Sequence, residues 1–378
     1  MRIMPTADEL ISSQTAEALA HALRTVVPDL PLTRLHAAAA QLEGLPLRAR
    51  VEQLESALLA DVPGDYAALA RVVRSAHGTN PTFTGWMIWP VTEVIASKAV
   101  ADGGTEAFDD AMALLAELTG LLTAEFAIRS LITHDPDRAL AIIRTWTASS
   151  DVHVRRLASE GTRPHLPWAK RIPELSQTPG ATVPLLEDLY RDPAEYVRRS
   201  VANHFNDLSR DHAALVIGTA ERWLAEPDGS TERVVRHGLR TLIKRGDPDA
   251  LALLGFPSVG QALQIEGPAV DRQSVAVGEA VEFHAAIRNI SEDDVRLTID
   301  YVVHHLKANG RQSPKTFKLT TMTLRPGQMT ELRRSHSFRP ISTRRYYPGA
   351  HALSLQVNGV ETTRAEFELT TNGVPCSV

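Results

Sequence analysis

The sequence predicts a multidomain chain, α then β, in which an α-helical solenoid is followed by an antiparallel β-sandwich. Three observations predict it. Through residues 1–256 apolar side chains recur at helical spacing, as in Val51, Leu54, Leu58 and Leu59, or Leu69, Val72, Val73 and Ala76. A weak internal repeat with a period of roughly 40 residues runs through the later part of that region. From residue 257 onward apolar residues alternate in short runs separated by turn residues, which is the period of half-buried strands. A chain of 378 residues with 43% hydrophobic content has the material for a packed core in each part.

Turn signals at Pro28, Gly44-Leu45-Pro46, Pro63-Gly64 and His77-Gly78-Thr79-Asn80-Pro81 cut residues 1–256 into short amphipathic helices in antiparallel pairs. The repeat is visible where Val154-Arg155-Arg156-Leu157-Ala158 returns as Val197-Arg198-Arg199-Ser200-Val201-Ala202, and more loosely as Val235-Arg236-His237-Gly238-Leu239. Each copy follows a turn, and the spacing is that of HEAT-like helix pairs. Equivalent positions of stacked pairs line one concave face. Arg155, Arg156, Arg198, Arg199 and Arg236, with Arg163 close by in sequence, are therefore expected on a face suited to a polyanion. The alternative is that they only solvate helix surfaces.

One stretch breaks the rhythm. Asp151 to Ser159 reads as a helix capped by Ser150 or Asp151; Glu160-Gly161 ends it, and Pro164 and Pro167 forbid a restart. Glu160 thus stands at the negative end of a helix dipole, where an anion costs about 0.3–1 kcal/mol. Arg156, four residues earlier, lies on the same face and can pair with it. The irregular segment from His165 to Thr182 carries Trp168 among several prolines and is too long for a simple connector. A large aromatic delivered beside a carboxylate and arginines suits a sugar or a base better than a core.

Beyond residue 257, Val275 to Ile287, Val295 to Ile299 and Ala352 to Val357 alternate in places, with turns at Arg325-Pro326-Gly327-Gln328 and Val357-Asn358-Gly359. Short strands at this spacing indicate a sandwich of immunoglobulin-like architecture, without the cysteine pair of antibody domains. Its charge is lopsided. From Lys307 to Arg345 there are ten basic residues against the single acid Glu331, a local +9 in a protein of net −5. Segregation of this kind suits phosphate neutralisation, and Arg333, Arg334, Arg344 and Arg345, with Tyr346 and Tyr347 beside them, are the expected contacts. A sole cysteine, Cys376, excludes intramolecular disulfides and fits a reducing compartment. Asp8 and Glu9 near the start, and no apolar run approaching ~20 residues, point to the cytoplasm.

The usual hydrolytic signatures are missing: there is no His-Glu-x-x-His, no Gly-x-Ser-x-Gly and no phosphate-cradling glycine loop. His304-His305 has no cysteine or carboxylate close by, so no metal site is expected. Carboxylates on the repeat helices remain: Glu125, Glu160 and Asp207. Each has a plain alternative, Glu125 as a first-turn carboxylate and Asp207 as a cap of the next helix.

The segment Arg155-Arg156-Leu157-Ala158-Ser159-Glu160-Gly161-Thr162-Arg163-Pro164-His165-Leu166-Pro167-Trp168, with the flanking repeats and Glu125, resembles the AlkC branch of the AlkC/AlkD alkylpurine DNA glycosylases. The resemblance covers most of residues 1–256. It implies a HEAT-like solenoid that holds duplex DNA on a concave basic face and releases cationic methylated bases such as 3-methyladenine while the lesion stays stacked. It further implies that Glu125, Glu160, Trp168 and Asp207 are the active-site positions, with Arg156 in support. Some AlkC proteins carry an additional immunoglobulin-like domain, and the change near residue 257 is similar to that layout. The expectation is a glycosylase domain over residues 1–256 and a DNA backbone clamp over residues 257–378. It would act as a monomer on alkylated double-stranded DNA in the cytoplasm, associated with the nucleoid when bound to DNA, with no cofactor, metal or membrane. Without the resemblance, a non-enzymatic solenoid scaffold binding protein or nucleic acid would be the reading, since solenoids more often serve as scaffolds than as enzymes.

Overall fold

The computed structural model describes residues 6–341 and 344–371, so Cys376 lies outside the described residues. The chain forms two compact units, Met1–Gly238 and Leu239–Val378. The first is helical and the second is built mainly of strands.

In the first unit, capping and apolar stripes define the helices as the sequence indicates. Ser12 caps the helix Ser13–Val26, which buries Ala16, Leu19, Ala20 and Leu23 at helical spacing. Asp65 caps Tyr66–Thr79, where Leu69, Val73 and Ala76 face inward. Leu59 departs from the expected stripe. It is exposed, while Val51, Leu54 and Leu58 of the same helix are buried. The helices stack in two layers. Ser13–Val26, Tyr66–Thr79, Thr105–Leu118 and Pro136–Trp146 pack successively in one. In the other, Leu47–Asp61 packs on Ile88–Asp102 and that on Ile128–His134, while Val152–Glu160 packs on Glu195–Leu208 and that on Thr231–Gly238. Stacking of this kind makes a helical solenoid. Ile88–Asp102 is covered on nearly every face, as its apolar sequence Ile88-Trp89-Pro90-Val91 requires.

The second unit is an immunoglobulin-like sandwich. Its strands are β1 (Leu263–Val270), β2 (Ser274–Ala276), β3 (Ala280–Asn289), β4 (Val295–Leu306), β5 (Gln312–Leu324), β6 (Met329–Ser337), β7 (Gly349–Val357), β8 (Val360–Glu361) and β9 (Ala365–Thr370). One sheet has the order β1-β3-β6 and the other β2-β9-β7-β4-β5, with β8 hairpinned onto β7 through Asn358-Gly359. Both turn residues have positive φ, 44° and 86°, as a two-residue hairpin of the right twist needs. Strand β3 alternates, turning Val281, Phe283, Ala285 and Ile287 inward. They meet Leu297, Ile299, Tyr301 and Val303 of β4 and Leu353 and Leu355 of β7 in one core.

Strands β4 and β7 are buried on both faces, because the helices Arg240–Arg245 and Pro248–Leu253 and the segment after them cover the outer face. A Cβ on Gly246 would meet Gln356 Nε2 at 2.2 Å, and one on Gly359 would meet Leu251 Cδ1 at 2.8 Å. Asn358 Nδ2 donates to the Pro257 carbonyl at 2.8 Å, and the Arg296 guanidinium lies 4.5 Å from the Phe256 ring centre. Strands begin close to where the composition changes, but the compact-unit boundary lies earlier, at Gly238/Leu239, since these last helices pack with the strands.

Candidate active site

Glu160 ends the helix Val152–Glu160, which Asp151 caps by accepting from His153 N at 2.7 Å. Gly161 follows in right-handed conformation, φ −64°, so it does not end the helix through left-handed geometry. What requires glycine is space: a Cβ there would lie 2.8 Å from Ile128 Cγ2 and 3.1 Å from the Leu157 carbonyl. Close approach of the earlier helix Ile128–His134 brings Glu125, in the turn before it, to the same place.

Glu160 is buried, and it is not a surface ion pair. Its Oε1 accepts from Arg163 Nη1 at 2.5 Å and lies 3.5 Å from Arg156 Nη2, while Oε2 accepts from Ser200 Oγ at 2.6 Å. Arg156 also donates through Nη1 to Glu125 Oε2 at 2.5 Å and to Thr123 Oγ1 at 2.9 Å. Arg163 donates through Nε to Asp207 Oδ2 at 2.8 Å. Glu125, Arg156, Glu160, Arg163 and Asp207 thus form one continuous chain of alternating charge, with all three carboxylates buried. Asp207 sits within Glu195–Leu208 and is bonded to Arg163, so it does not cap the next helix.

The two glutamates are held differently. Burial pushes the Glu160 carboxyl up, but Arg156, Arg163 and the Ser200 hydrogen bond outweigh it and leave it below its ordinary value. At Glu125 burial prevails over Arg156, and the negative charge of Glu160 adds to it, so its carboxyl is raised. Glu125 takes both of its hydrogen bonds on Oε2, and among the described residues none is made to Oε1. Under the helix lies His204, fully buried between the Ser159 carbonyl and Thr182 Oγ1. Burial lowers it to about 3, so it is neutral.

Trp168 stands out in the opposite sense. It is 65% exposed and adopts φ 63°, the left-handed region that side chains other than glycine seldom enter. Its segment is tied down by Arg129, whose only mark in the sequence is that it stands four positions after Glu125. Arg129 donates to the carbonyls of Gly161 at 3.0 Å, Arg163 at 2.8 Å and Lys170 at 2.6 Å. Burial and the like charge of Arg163 lower its guanidinium to about 10. Thr123 and Ser200 were likewise not legible as site residues.

The repeat arginines divide. Arg155 donates to the Ser149 and Ser150 carbonyls and pairs with Asp192; Arg198 donates to the Asp192 and Pro193 carbonyls. These two equivalent positions each clamp the turn before their own helix. Arg199 and Arg236 are more open to solvent, paired with Glu195 and Glu232 one turn back. Exposed Tyr196 carries the Arg156 guanidinium 5.4 Å from its ring centre. In the second unit, Arg333 and Arg334 lie exposed on β6, and Arg344 and Arg345 line a cleft of about 690 Å³ with Lys307, Lys315 and Tyr347. No group of histidine, cysteine or carboxylate side chains among the described residues is arranged to hold a metal ion.

The chain is similar to known proteins in both sequence and fold. The family described as the C-terminal Ig-like domain of uncharacterised protein YhaZ matches residues 264–371. YhaZ of Bacillus subtilis (strain 168) is 31% identical over 364 residues, covering 96% of this chain and 98% of the relative. Among solved structures, Pseudomonas fluorescens alkylpurine DNA glycosylase AlkC, bound to DNA containing an abasic site analogue, aligns with a TM-score of 0.82 and 32% identity, over 97% of this chain and 99% of that one.

Proposed function

Since the chain belongs to the AlkC-type alkylpurine DNA glycosylase family with a C-terminal immunoglobulin-like domain, we propose that it hydrolyses the N-glycosidic bond of cationic alkylated bases, 3-methyladenine among them, in duplex DNA. It acts in the cytoplasm, on the nucleoid, as a monomer in base excision repair and without a cofactor. The observation that carries this reading is the buried chain of alternating charge from Glu125 to Asp207. A passive scaffold has no use for three buried carboxylates, whose desolvation costs several kcal/mol each before pairing offsets it.

The chemistry follows from where charge develops. N3-methylation makes the base cationic, so the C1′–N9 bond breaks with its electron pair going to the base, which leaves neutral. Positive charge then builds on the deoxyribose, and carboxylates fixed beside it stabilise the oxocarbenium-like transition state. Glu160, held ionised by Arg156 and Arg163, suits that electrostatic role. Glu125, with its proton affinity raised and Oε1 unengaged among the described residues, suits orienting the water that adds to C1′ and taking up its proton. The indole face of Trp168 favours the same cation. Because the leaving group is already activated, no enclosed base pocket and no base flipping are required. The strand-rich domain, residues 257–378, grips the DNA backbone through its basic stretch.

The test is release of 3-methyladenine from methylated duplex DNA. Glu125→Gln and Glu160→Gln should each slow release by roughly 10²–10³ with DNA affinity little changed. Release at the parental rate from both variants overturns the assignment.

A further inference from the structure

We propose that Arg48 and Arg129 form a two-point clamp that sets the backbone of Trp168 and so aims its indole, making both of them positioning residues for the reaction proposed above, on which this inference rests. Trp168 is 65% exposed, yet it keeps a left-handed φ of 63°. A conformation that costs free energy persists only where its surroundings over-determine it. The restraints lie on either side. Arg129, buried beneath the segment, fixes the entry through the Gly161 and Arg163 carbonyls and the exit through the Lys170 carbonyl. Arg48, from the helix Leu47–Asp61, reaches the Trp168 carbonyl itself at 3.5 Å.

Arg48 is aimed in turn by two carboxylates, Glu52 Oε1 at 3.2 Å and Glu93 Oε1 at 3.9 Å. Glu93 is fixed by Trp89 Nε1 at 3.0 Å, and Trp89 stacks on Phe126, the neighbour of Glu125, with ring centres 4.4 Å apart. The same packing that seats Glu125 therefore seats Arg48. The guanidinium spreads its donors over separate nitrogens in a fixed plane and so reaches carbonyls on both sides of the segment, where the donors of a lysine all radiate from one atom. Released from the clamp, Trp168 would relax to negative φ and its indole would change direction. A misplacement of about 1 Å at a reacting centre can cost as much as a hundredfold in rate.

The experiment measures single-turnover excision of 3-methyladenine, DNA affinity and amide hydrogen exchange over residues 161–171 in full-length Arg48→Ala, Arg48→Lys, Arg129→Lys, Trp168→Ala and Arg48→Ala/Trp168→Ala. The expected result is faster exchange in that segment for Arg48→Ala and Arg129→Lys, with a rate loss of about tenfold to a hundredfold. DNA affinity stays within about twofold, Arg48→Lys recovers part of the rate, and the double variant is no slower than Trp168→Ala alone. Should Arg129→Lys fail to fold, the Arg48 variants carry the test, since that side chain is partly exposed. Unchanged exchange, or rate losses that multiply in the double variant, overturns the proposal. Faster exchange with no parental excision, or with parental-rate excision by Trp168→Ala, defeats the role assigned to Trp168 under Proposed function and leaves the clamp standing.

Discussion

Three carboxylates and two guanidiniums occupy a space in which none of the five is fully solvated, so the charge of each depends on its neighbours. Removing one member leaves another buried and uncompensated, which is why Arg163 belongs to the site as much as Glu160 does. Sequence alone marks Glu160, because an acid at a helix C-terminus is out of place. It does not reveal that Arg163 bridges Glu160 to Asp207, since that contact spans 44 residues and forms only when the helices stack. Trp168 tests whether exposure means function. Its indole lies mostly in solvent, so Trp168→Ala should slow excision while moving the thermal midpoint little. A buried tryptophan such as Trp89 would instead cost about 3–5 kcal/mol on truncation. Calorimetry beside the rate assay decides it, and a large drop in midpoint for Trp168→Ala would mark a core residue.

Helices of the first unit follow their apolar period closely because each buries one stripe against its neighbours. Strand β4 shows where that kind of reading fails: alternation is visible from Val295 to Ile299, yet the strand continues to Leu306. The helices after Gly238 cover its outer face, so Thr298, Asp300, Val302 and His304 are buried as well and the alternation disappears. The opposite, inner face of β4 meets a cluster of buried histidines packed among Tyr301, Phe317 and Phe338. His305 and His336 lie with ring centres 5.9 Å apart, and His351 is equally far from His305. Burial, with the like charge of Arg344, lowers His305 to about 3 and His336 to about 4. His204 of the first unit is lowered to about 3, chiefly by burial. Histidine in the unfolded chain titrates at about 6.5. Between that value and the folded ones the unfolded chain binds more protons, so this stability is full above pH 6.5 and is lost as the pH falls toward 4. Each histidine should contribute a loss of up to about 1.4 kcal/mol per pH unit in that window. Thermal midpoints measured from pH 7 to pH 4.5 should fall progressively; a flat profile would mean that the rings are reached by water in the folded state.

Charge is unevenly spread through this chain, and the imbalance bears on how DNA is held. A net charge of −5 gives no general attraction to a polyanion, so backbone binding has to come from local concentrations of cations. The +9 stretch from Lys307 to Arg345 is one. In the folded unit Lys307, Lys315, Arg344 and Arg345 line one cleft, and Lys315 is lowered by burial and by the like charges of Arg344, Lys244 and Lys307. A cation destabilised by its neighbours is relieved by an anion, and phosphate is the anion that DNA presents at regular spacing. Deleting the strand-rich domain is a poor test, because a cut after Gly255 parts the helices Arg240–Arg245 and Pro248–Leu253 from the strands they cover. Substitution in the full chain avoids this. Lys315→Gln, Arg344→Gln and Arg345→Gln, singly and together, should each flatten the plot of log affinity against log salt by about 0.9 if the residue contacts phosphate, because one counterion fewer is released. Phosphate contacts carry no base information, so damaged and undamaged duplexes should weaken alike. Titrations at several salt concentrations with both duplexes separate the alternatives. If the triple variant keeps the parental slope, these cations only solvate the surface, and the backbone is held by the exposed arginines of the solenoid, Arg199 and Arg236.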